Sequence, residues 1–399
     1  MRALRNSWYS HGVRFTSRIQ AELAPNDFSA AVERRRAGAS PLWDLTVSNP
    51  TLAGFEYPLE EIRDALARAA RHPYRPDPCG LPAARRAVAE YYQSHGKDIS
   101  PESILLTSGT SEAYAHLFKM LCSPGEAVLF PRPSYPLVEV IAGLEGVLAH
   151  PYPLSGAGRR WDVSGIGRSP PSGARAVVAV SPNNPTGSML TQDELRSLSG
   201  FCKEHALALI VDEVFLDYPS PARAASVVSS AGNPDVLTFT LGGLSKACGL
   251  PQMKLAWIAA GGPEEAVRTA MAHLEFINDA FLTAGTPVQQ ATPELLALGT
   301  RIREGIRRRV DRNGKTLRRI LGGAEGATLF ERDGGWYAVV GLPPGTEDEE
   351  FSLRLLEQRD VIVQPGYLFD FDEVQTIVLS LLTESERFSA GVEKIRAAL

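Results

Sequence analysis

Between about residues 80 and 260, short apolar runs alternate with segments of helical spacing, and this alternation is the strongest constraint on the fold. Ser103–Thr107 (SILLT), Ala127–Phe130, Ala174–Val180 (ARAVVAV), Leu207–Val211 (LALIV), Val236–Leu241 (VLTFTL) and Lys254–Ala260 (KLAWIAA) read as strands. Ala83–Tyr92, Glu112–Leu121 and Thr191–Glu204 read as helices. A strand that is apolar throughout is buried on both faces, and helices between such strands make the sheet mainly parallel. The fold class is therefore α/β.

The pattern changes in the last third. Glu294–Leu321 reads as one or two long, Arg-rich helices. Strand-like Gly335–Val340, a helix over Glu347–Glu357, strand-like Val361–Gln364 and Thr376–Leu382, and a final helix from Glu384 follow. That order is α+β and suits a second, smaller domain completed by N-terminal residues. The expected division is 1–50 as arm and part of the small domain, 51–290 as the large domain and 291–399 as the small one.

Composition excludes several classes. The 399 residues are 44% hydrophobic and 22% charged, the balance of a folded globular chain. A formal net charge of −5 gives no electrostatic pull toward nucleic acid or an anionic membrane, so neither partner is expected. No apolar stretch reaches the length of a membrane-spanning helix. Cys79, Cys122, Cys202 and Cys248 are dispersed, which suits free thiols in a reducing cytoplasm, and no histidine cluster suggests a metal. Arg2, Arg5, Arg14 and Arg18 precede the first acid, Glu22; a plain N-terminal arm is preferred over a transit peptide.

Candidate chemistry collects where strands end, the usual place for ligands in open α/β sheets. Ser181–Gly187 (SPNNPTG) follows a buried strand and presents the Asn184 amide; alone it is an ordinary turn. Asp212 ends the next apolar run, in Val211-Asp212-Glu213-Val214-Phe215; alone it is a salt-bridge partner or a helix cap. Lys246 lies in the Gly-rich loop TLGGLSKACGLPQMKL; alone it is a surface lysine. Taken together they meet the needs of a pyridine cofactor. A desolvated lysine holds its aldehyde, a carboxylate keeps the ring nitrogen protonated, an amide reaches the ring hydroxyl, and backbone-rich loops take the phosphate.

These segments, in this order, resemble class I/II aminotransferases, enzymes of fold type I that depend on pyridoxal 5'-phosphate; the resemblance runs from about residue 45 to the C-terminus. It implies an aspartate aminotransferase-like large domain with a mainly parallel seven-stranded sheet flanked by helices. It also implies a homodimer with shared sites, and ping-pong transfer of an amino group from an amino acid to a 2-oxo acid, through a Lys246 aldimine and pyridoxamine phosphate. Lys246 would carry the cofactor and move a proton, and Asp212 would pair with the ring nitrogen. Asn184 would bond the ring hydroxyl, Tyr135 would stack on the ring, and Ser108, Gly109 and Thr110 would bind phosphate at a helix N-terminus. Tyr74 would reach the neighbouring subunit's phosphate, and Asn49-Pro50-Thr51 would lie near the substrate carboxylate.

Four positions depart from the family pattern. Phe215 replaces a tyrosine whose hydroxyl also bonds the ring oxygen, and Lys254 replaces a phosphate-binding arginine. Gly243 replaces a serine phosphate ligand. Val378, in TIVLSLLT, stands where an arginine grips the substrate α-carboxylate. Arg14, Arg18 and Arg332 are the candidate substitutes, and Trp43, Trp336 and Tyr337 hint at an aromatic-lined site. The missing arginine keeps a lyase, decarboxylase or cyclising reaction open as the alternative. A ligand-binding regulator fits worse, because the residues ahead of the resemblance are too few for a winged-helix unit.

Overall fold

The computed structural model describes residues 9–10, 13–14, 16, 18–19, 25–38, 41–158, 160–371 and 374–399, without the side chains of 9–10, 13–14 and 157–158. Seven strands build the larger sheet: β1 (Ile104–Thr107), β2 (Ala127–Arg132), β3 (Leu148–Pro153), β4 (Ala174–Val180), β5 (Ala208–Asp212), β6 (Thr238–Gly243) and β7 (Ala256–Gly261). Their spatial order is β1-β7-β6-β5-β4-β2-β3. The strands from β3 to β6 are parallel, and β7 runs antiparallel to both β1 and β6. The sheet is thus mainly parallel, as the apolar runs require. Val177–Ala179, Leu209–Val211, Leu105 and Ile258 are fully shielded from solvent, since helices cover both faces.

The strand β3 is absent from the sequence reading for a physical reason. It is an edge strand paired only with β2, so its sequence, LAHPYP, tolerates two prolines and leaves Leu148 exposed. Around the sheet lie α1 (Pro82–Gln93), α2 (Thr110–Leu121), α3 (Gln192–Glu204) and α4 (Glu264–Asp279). Thr191 and Glu194 form a reciprocal capping box at the start of α3.

A single helix, α5 (Thr286–Leu321), occupies the stretch read as one or two helices and begins eight residues earlier than Glu294. Leu295, Ile302, Ile306, Val310 and Leu317 keep one buried face along it. It leads to a four-stranded antiparallel sheet of β8 (Thr328–Leu329), β9 (Tyr337–Gly341), β10 (Gln364–Pro365) and β11 (Thr376–Ser380), ordered β8-β9-β11-β10. The helix α6 (Asp348–Arg359) packs on it, and α7 (Ser385–Arg396) packs on α5 and on Trp43–Asp44. The segment read as one strand, Val361–Gln364, divides: Val361–Ile362 pairs with Trp43–Asp44, and Gln364–Pro365 pairs with β11. Residues from the N-terminal part therefore pack with the C-terminal part, where Ser380 N also donates to Leu45 O at 2.7 Å.

Among the described residues no helix is long and apolar enough to cross a membrane, and no three metal-binding side chains cluster. The four cysteines are free thiols.

Candidate active site

Strand register gathers the candidate residues at one sheet edge. In β5, Asp212 pairs with Val180 of β4 and with Leu241 of β6. In β7, Ala256 pairs with Gly243 of β6 and with Thr107 of β1. The segments leaving these positions are Ser108–Thr110, Ser181–Gly187, Glu213–Phe215, Leu244–Ala247 and, just before β7, Lys254.

Asp212 is buried and accepts hydrogen bonds from Tyr114 Oη and Val214 N, both at 3.1 Å. Burial pushes its carboxyl up to about 6, against the two hydrogen bonds and the charge of Lys246. Among the described residues it has no salt-bridge partner: its cationic neighbour, Lys246, acts through space. Lys246 rides on a single helical turn, Leu244–Ala247, immediately after β6. Its Nζ lies 5.3 Å from the Trp336 ring centre and 5.9 Å from that of Phe215. Burial lowers its pKa, and the Asp212 charge only partly opposes this. Lys246 is therefore no ordinary surface lysine. It is predisposed to lose its proton while facing a carboxylate.

Asn184 has a buried Oδ1 without a hydrogen-bond partner. Its neighbour Asn183, which the sequence reading passed over, orders the loop. Asn183 Nδ2 donates to Pro133 O at 3.0 Å and Thr186 Oγ1 at 2.9 Å, and its Oδ1 accepts from Ser134 Oγ at 3.2 Å. This ties the Asn184 loop to the segment bearing Tyr135, whose ring is 51% exposed and open to a stacking partner. Burial pushes the Tyr337 phenol up to about 12. Phe215 is packed edge-on against Trp336 (5.2 Å) and Tyr337 (6.2 Å). Of the three aromatics expected around the site, Trp336 and Tyr337 are present. Trp43 instead stacks under Lys394 of α7, at 4.1 Å.

The start of α2 has the features of an anion cradle. No acceptor among the described residues takes the N–H groups of Thr110 and Ser111. Lys254 Nζ lies 3.4 Å from the point a Cβ on Gly109 would occupy. Lys254 is not part of a strand. It follows a short 3-10 turn with a left-handed φ of 49°. Ser108 differs from expectation: its N–H donates to Glu112 Oε2 at 2.7 Å. A serine at Gly243 would be crowded, because a Cβ there would sit 3.0 Å from Ala256 Cβ and 3.1 Å from Leu255 O, and these neighbours would have to shift by a few tenths of an ångström.

Other candidates are not brought to Lys246. Tyr74 is 69% exposed beside Leu282 and Thr286, and makes no hydrogen bond or ring contact with the Lys246 group. Val378 is fully buried in an apolar cluster with Val339 and Phe369, so β11 offers no cation there. Arg332 turns toward α5, with Nη2 at 4.0 Å from Asp311 and Nη1 donating to Gly335 O at 3.3 Å. Arg18 runs along Gly143 and Gly146, and the side chain of Arg14 lies outside the described residues. Tyr114 was missed in the sequence: nothing in a helix interior announces a bond to a strand residue far along the chain.

Comparison with known proteins places these features in a wider group. The family model described as "Aminotransferase class I and II" matches residues 40–390. The glutamate-pyruvate aminotransferase AlaA of Haemophilus influenzae is 27% identical over 355 residues, covering 86% of this chain and 87% of that protein. The aspartate/prephenate aminotransferase of Thermus thermophilus is 29% identical over 386 residues, covering 92% and 94%. Among solved structures, the alanine aminotransferase of Pyrococcus furiosus superposes with a TM-score of 0.84 at 23% identity, covering 96% and 99%, a likeness of fold.

Proposed function

Because the chain belongs to the class I and II aminotransferase family, and is a transaminase with that family's fold, we propose that it holds pyridoxal 5'-phosphate at Lys246 and moves an amino group from an amino acid to a 2-oxo acid. The observation that carries the reading is the facing pair of Lys246, its amine pKa lowered by burial, and Asp212, a buried carboxylate with no salt-bridge partner among the described residues.

The residues present fit the cofactor. The buried Asn184 Oδ1 has no hydrogen-bond partner among the described residues, so this amide is not committed through its oxygen to the protein, and the α2 N-terminus with Lys254 suits a phosphate. When bound, the cofactor supplies an aldehyde that captures amines and a protonated ring that draws electrons from the adjoining carbon.

The chain's own residues do the rest. Lys246 Nζ, whose pKa burial lowers, would hold the cofactor through its aldehyde and, when free, would be the base that takes the substrate Cα proton and returns it. Asp212 holds the proton on the ring nitrogen, and Tyr114 keeps the carboxylate oriented. Asn184 and Tyr135 would help hold the cofactor, the first through its amide N–H and the second by packing. Trp336 and Phe215 set apolar ring faces beside the half-buried lysine, which lowers the local polarity around its amine. Lys254 and the α2 backbone carry the phosphate. Tyr74, exposed in the single chain, is assigned to the site of a second copy in a homodimer. The two half-reactions follow a ping-pong order, the first oxo acid leaving before the second enters.

The buried Val378 supports a second reading, in which a substrate held without the usual arginine undergoes lyase, decarboxylase or cyclising chemistry. One experiment separates the two. The protein, loaded with cofactor, is mixed with a panel of amino acids and amines, and its products are identified by mass. Pyridoxamine phosphate with a matching 2-oxo acid is the expected result. Carbon dioxide release or an eliminated fragment without pyridoxamine phosphate would replace the first reading by the second.

A further inference from the structure

We propose that Arg303 is a positioning residue for Lys246, itself held in place by a buried ion cluster centred on Asp217; the proposal rests on the reading that Lys246 carries the cofactor. The argument begins with the shortness of the helical turn that bears the lysine. Leu244–Ala247 has four residues, too few to satisfy its own terminal carbonyls. Lys246 O accepts from Gly249 N at 3.2 Å, and side chains from other elements add further donors to this stretch. Tyr218 Oη donates to Lys246 O at 2.7 Å. Arg303 Nη1 donates to Ala247 O at 2.9 Å, and Tyr57 Oη to Gly249 O at 2.8 Å. The backbone of Lys246 and the residues after it is therefore fixed from three directions.

Arg303 is the charged member of these three donors, and it sits where the dipole of the turn favours a cation. Asp217 holds it there: Asp217 Oδ1 lies 3.4 Å from Arg303 Nη1. The Asp217 side chain is 2% exposed and receives Tyr91 Oη at 2.9 Å on Oδ2 and His95 Nε2 at 3.3 Å on Oδ1. Arg307, one turn after Arg303 on α5, stands 3.9 Å from Oδ1 and donates through Nε to Asp217 O at 2.5 Å. Three elements thus meet on one carboxylate: α1 through Tyr91 and His95, α5 through Arg303 and Arg307, and the segment after β5 through Asp217 itself.

That last segment connects the cluster to the chemistry. Within Asp212–Tyr218, the Asp212 charge and the Phe215 ring act on the lysine Nζ, Tyr218 bonds the lysine's own carbonyl, and Asp217 pairs with Arg303, which bonds the next carbonyl. A buried ion cluster pays heavily in desolvation and is weak support for stability. What it provides here is definition: a hydrogen bond from Tyr91 and ion pairs with His95 and Arg307 hold the one carboxylate, and that carboxylate restricts where the Arg303 guanidinium can stand. A nucleophile and proton carrier gains from that, because misplacement by about 1 Å can cost on the order of 100-fold in rate.

The test uses the full chain, comparing wild type with Arg303→Met, Arg303→Lys and Tyr218→Phe. Readouts are the dissociation constant for pyridoxal phosphate, the pH midpoint of the visible band of the lysine-bound cofactor, kcat and KM separately, and Tm. Arg303→Met is expected to lower kcat by about 100-fold with KM little changed, to weaken cofactor binding and to move the pH midpoint. Arg303→Lys should recover part of each, because an ammonium restores charge without the fork. Tyr218→Phe removes one carbonyl donor without touching a charge, so it serves even where Arg303→Met does not fold; the same changes, smaller, are expected. Wild-type kcat, affinity and pH midpoint in Tyr218→Phe and in every soluble Arg303 variant, whatever Tm does, would overturn the positioning role. Borohydride reduction of wild type checks the underlying reading separately. Absence of a fixed adduct on Lys246 would remove that reading, and the proposal with it.

Discussion

Tyr114 donates its phenolic hydrogen to Asp212 Oδ2 across 3.1 Å, joining the middle of α2 to the end of β5. The bond orients a carboxylate that the fold has otherwise stranded in an apolar surrounding. Burial of that carboxylate carries a pH-dependent cost, which the bond lessens. The Asp212 carboxyl is raised from its ordinary 3.8 to about 6, chiefly by burial. A raised carboxyl contributes stability that is fully present below pH 3.8 and is lost as pH climbs through 6. Above that the cofactor-free chain is less stable by about 3 kcal/mol on this account. Asp212→Asn should therefore flatten the stability profile of the cofactor-free protein between these pH values, while lowering kcat at least about 100-fold. Urea titrations across pH measure the first effect. An unchanged slope in the variant would exclude Asp212 as its source.

Phe215→Tyr adds a hydroxyl at the edge of the space before Lys246. The ring is already fixed by Trp336 and Tyr337, so the new group should enter with little repacking. With two donors instead of Asn184 alone, the ring oxygen should hold its negative charge more readily. The expected outcome is a lower pH midpoint for the visible band of the bound cofactor. Spectrophotometric titration of both proteins decides it, and coincident curves would mean the added hydroxyl does not reach the ring oxygen.

His95 predicts a second pH effect of the same sign and a different range. Burial disfavours its imidazolium, but the hydrogen bond and charge of Asp217 and the Tyr91 carbonyl outweigh this and raise the pKa above 6.5. Stability from this pair is complete below 6.5 and is lost as pH rises through the elevated folded value. The Tm of wild type should fall across that window, and His95→Gln should fall less. Differential scanning fluorimetry from pH 6 upward is sufficient to see it.

Gly187 holds the turn after Asn184 to the strand segment before Trp336. Its O accepts from Asp333 N at 3.0 Å and Gly334 N at 2.8 Å, and its φ is +72°. A Cβ would stand 2.5 Å from Gly334 O, a backbone atom that cannot swing aside. Gly187→Ala should cost about 2 kcal/mol or more, from the left-handed backbone and the clash together. Chemical denaturation measures it, and cofactor affinity should fall as well because Asn184 shares the loop.

The sequence by itself determined the α/β alternation, the strand ends and the residues carried there: continuous apolar runs can only be buried strands, and polar residues at their ends can only be loops at a sheet edge. Asp212, Asn184, Lys246 and Lys254 were legible on that basis, together with the family resemblance. The tertiary structure decided what surrounds them. Tyr114, Asn183, Trp336 and Arg303 touch the site through partners far along the chain, and no local periodicity encodes such contacts. The same limit explains Arg332, whose position before Trp336 suggested a substrate cation but whose side chain turns to Asp311. It explains Val378 as well: its residue type excluded carboxylate binding, yet only packing against Val339 and Phe369 shows that an apolar cluster fills that place. Spacing along the chain sets which face a residue occupies; what lies opposite that face is set by how the sheets and α5 pack.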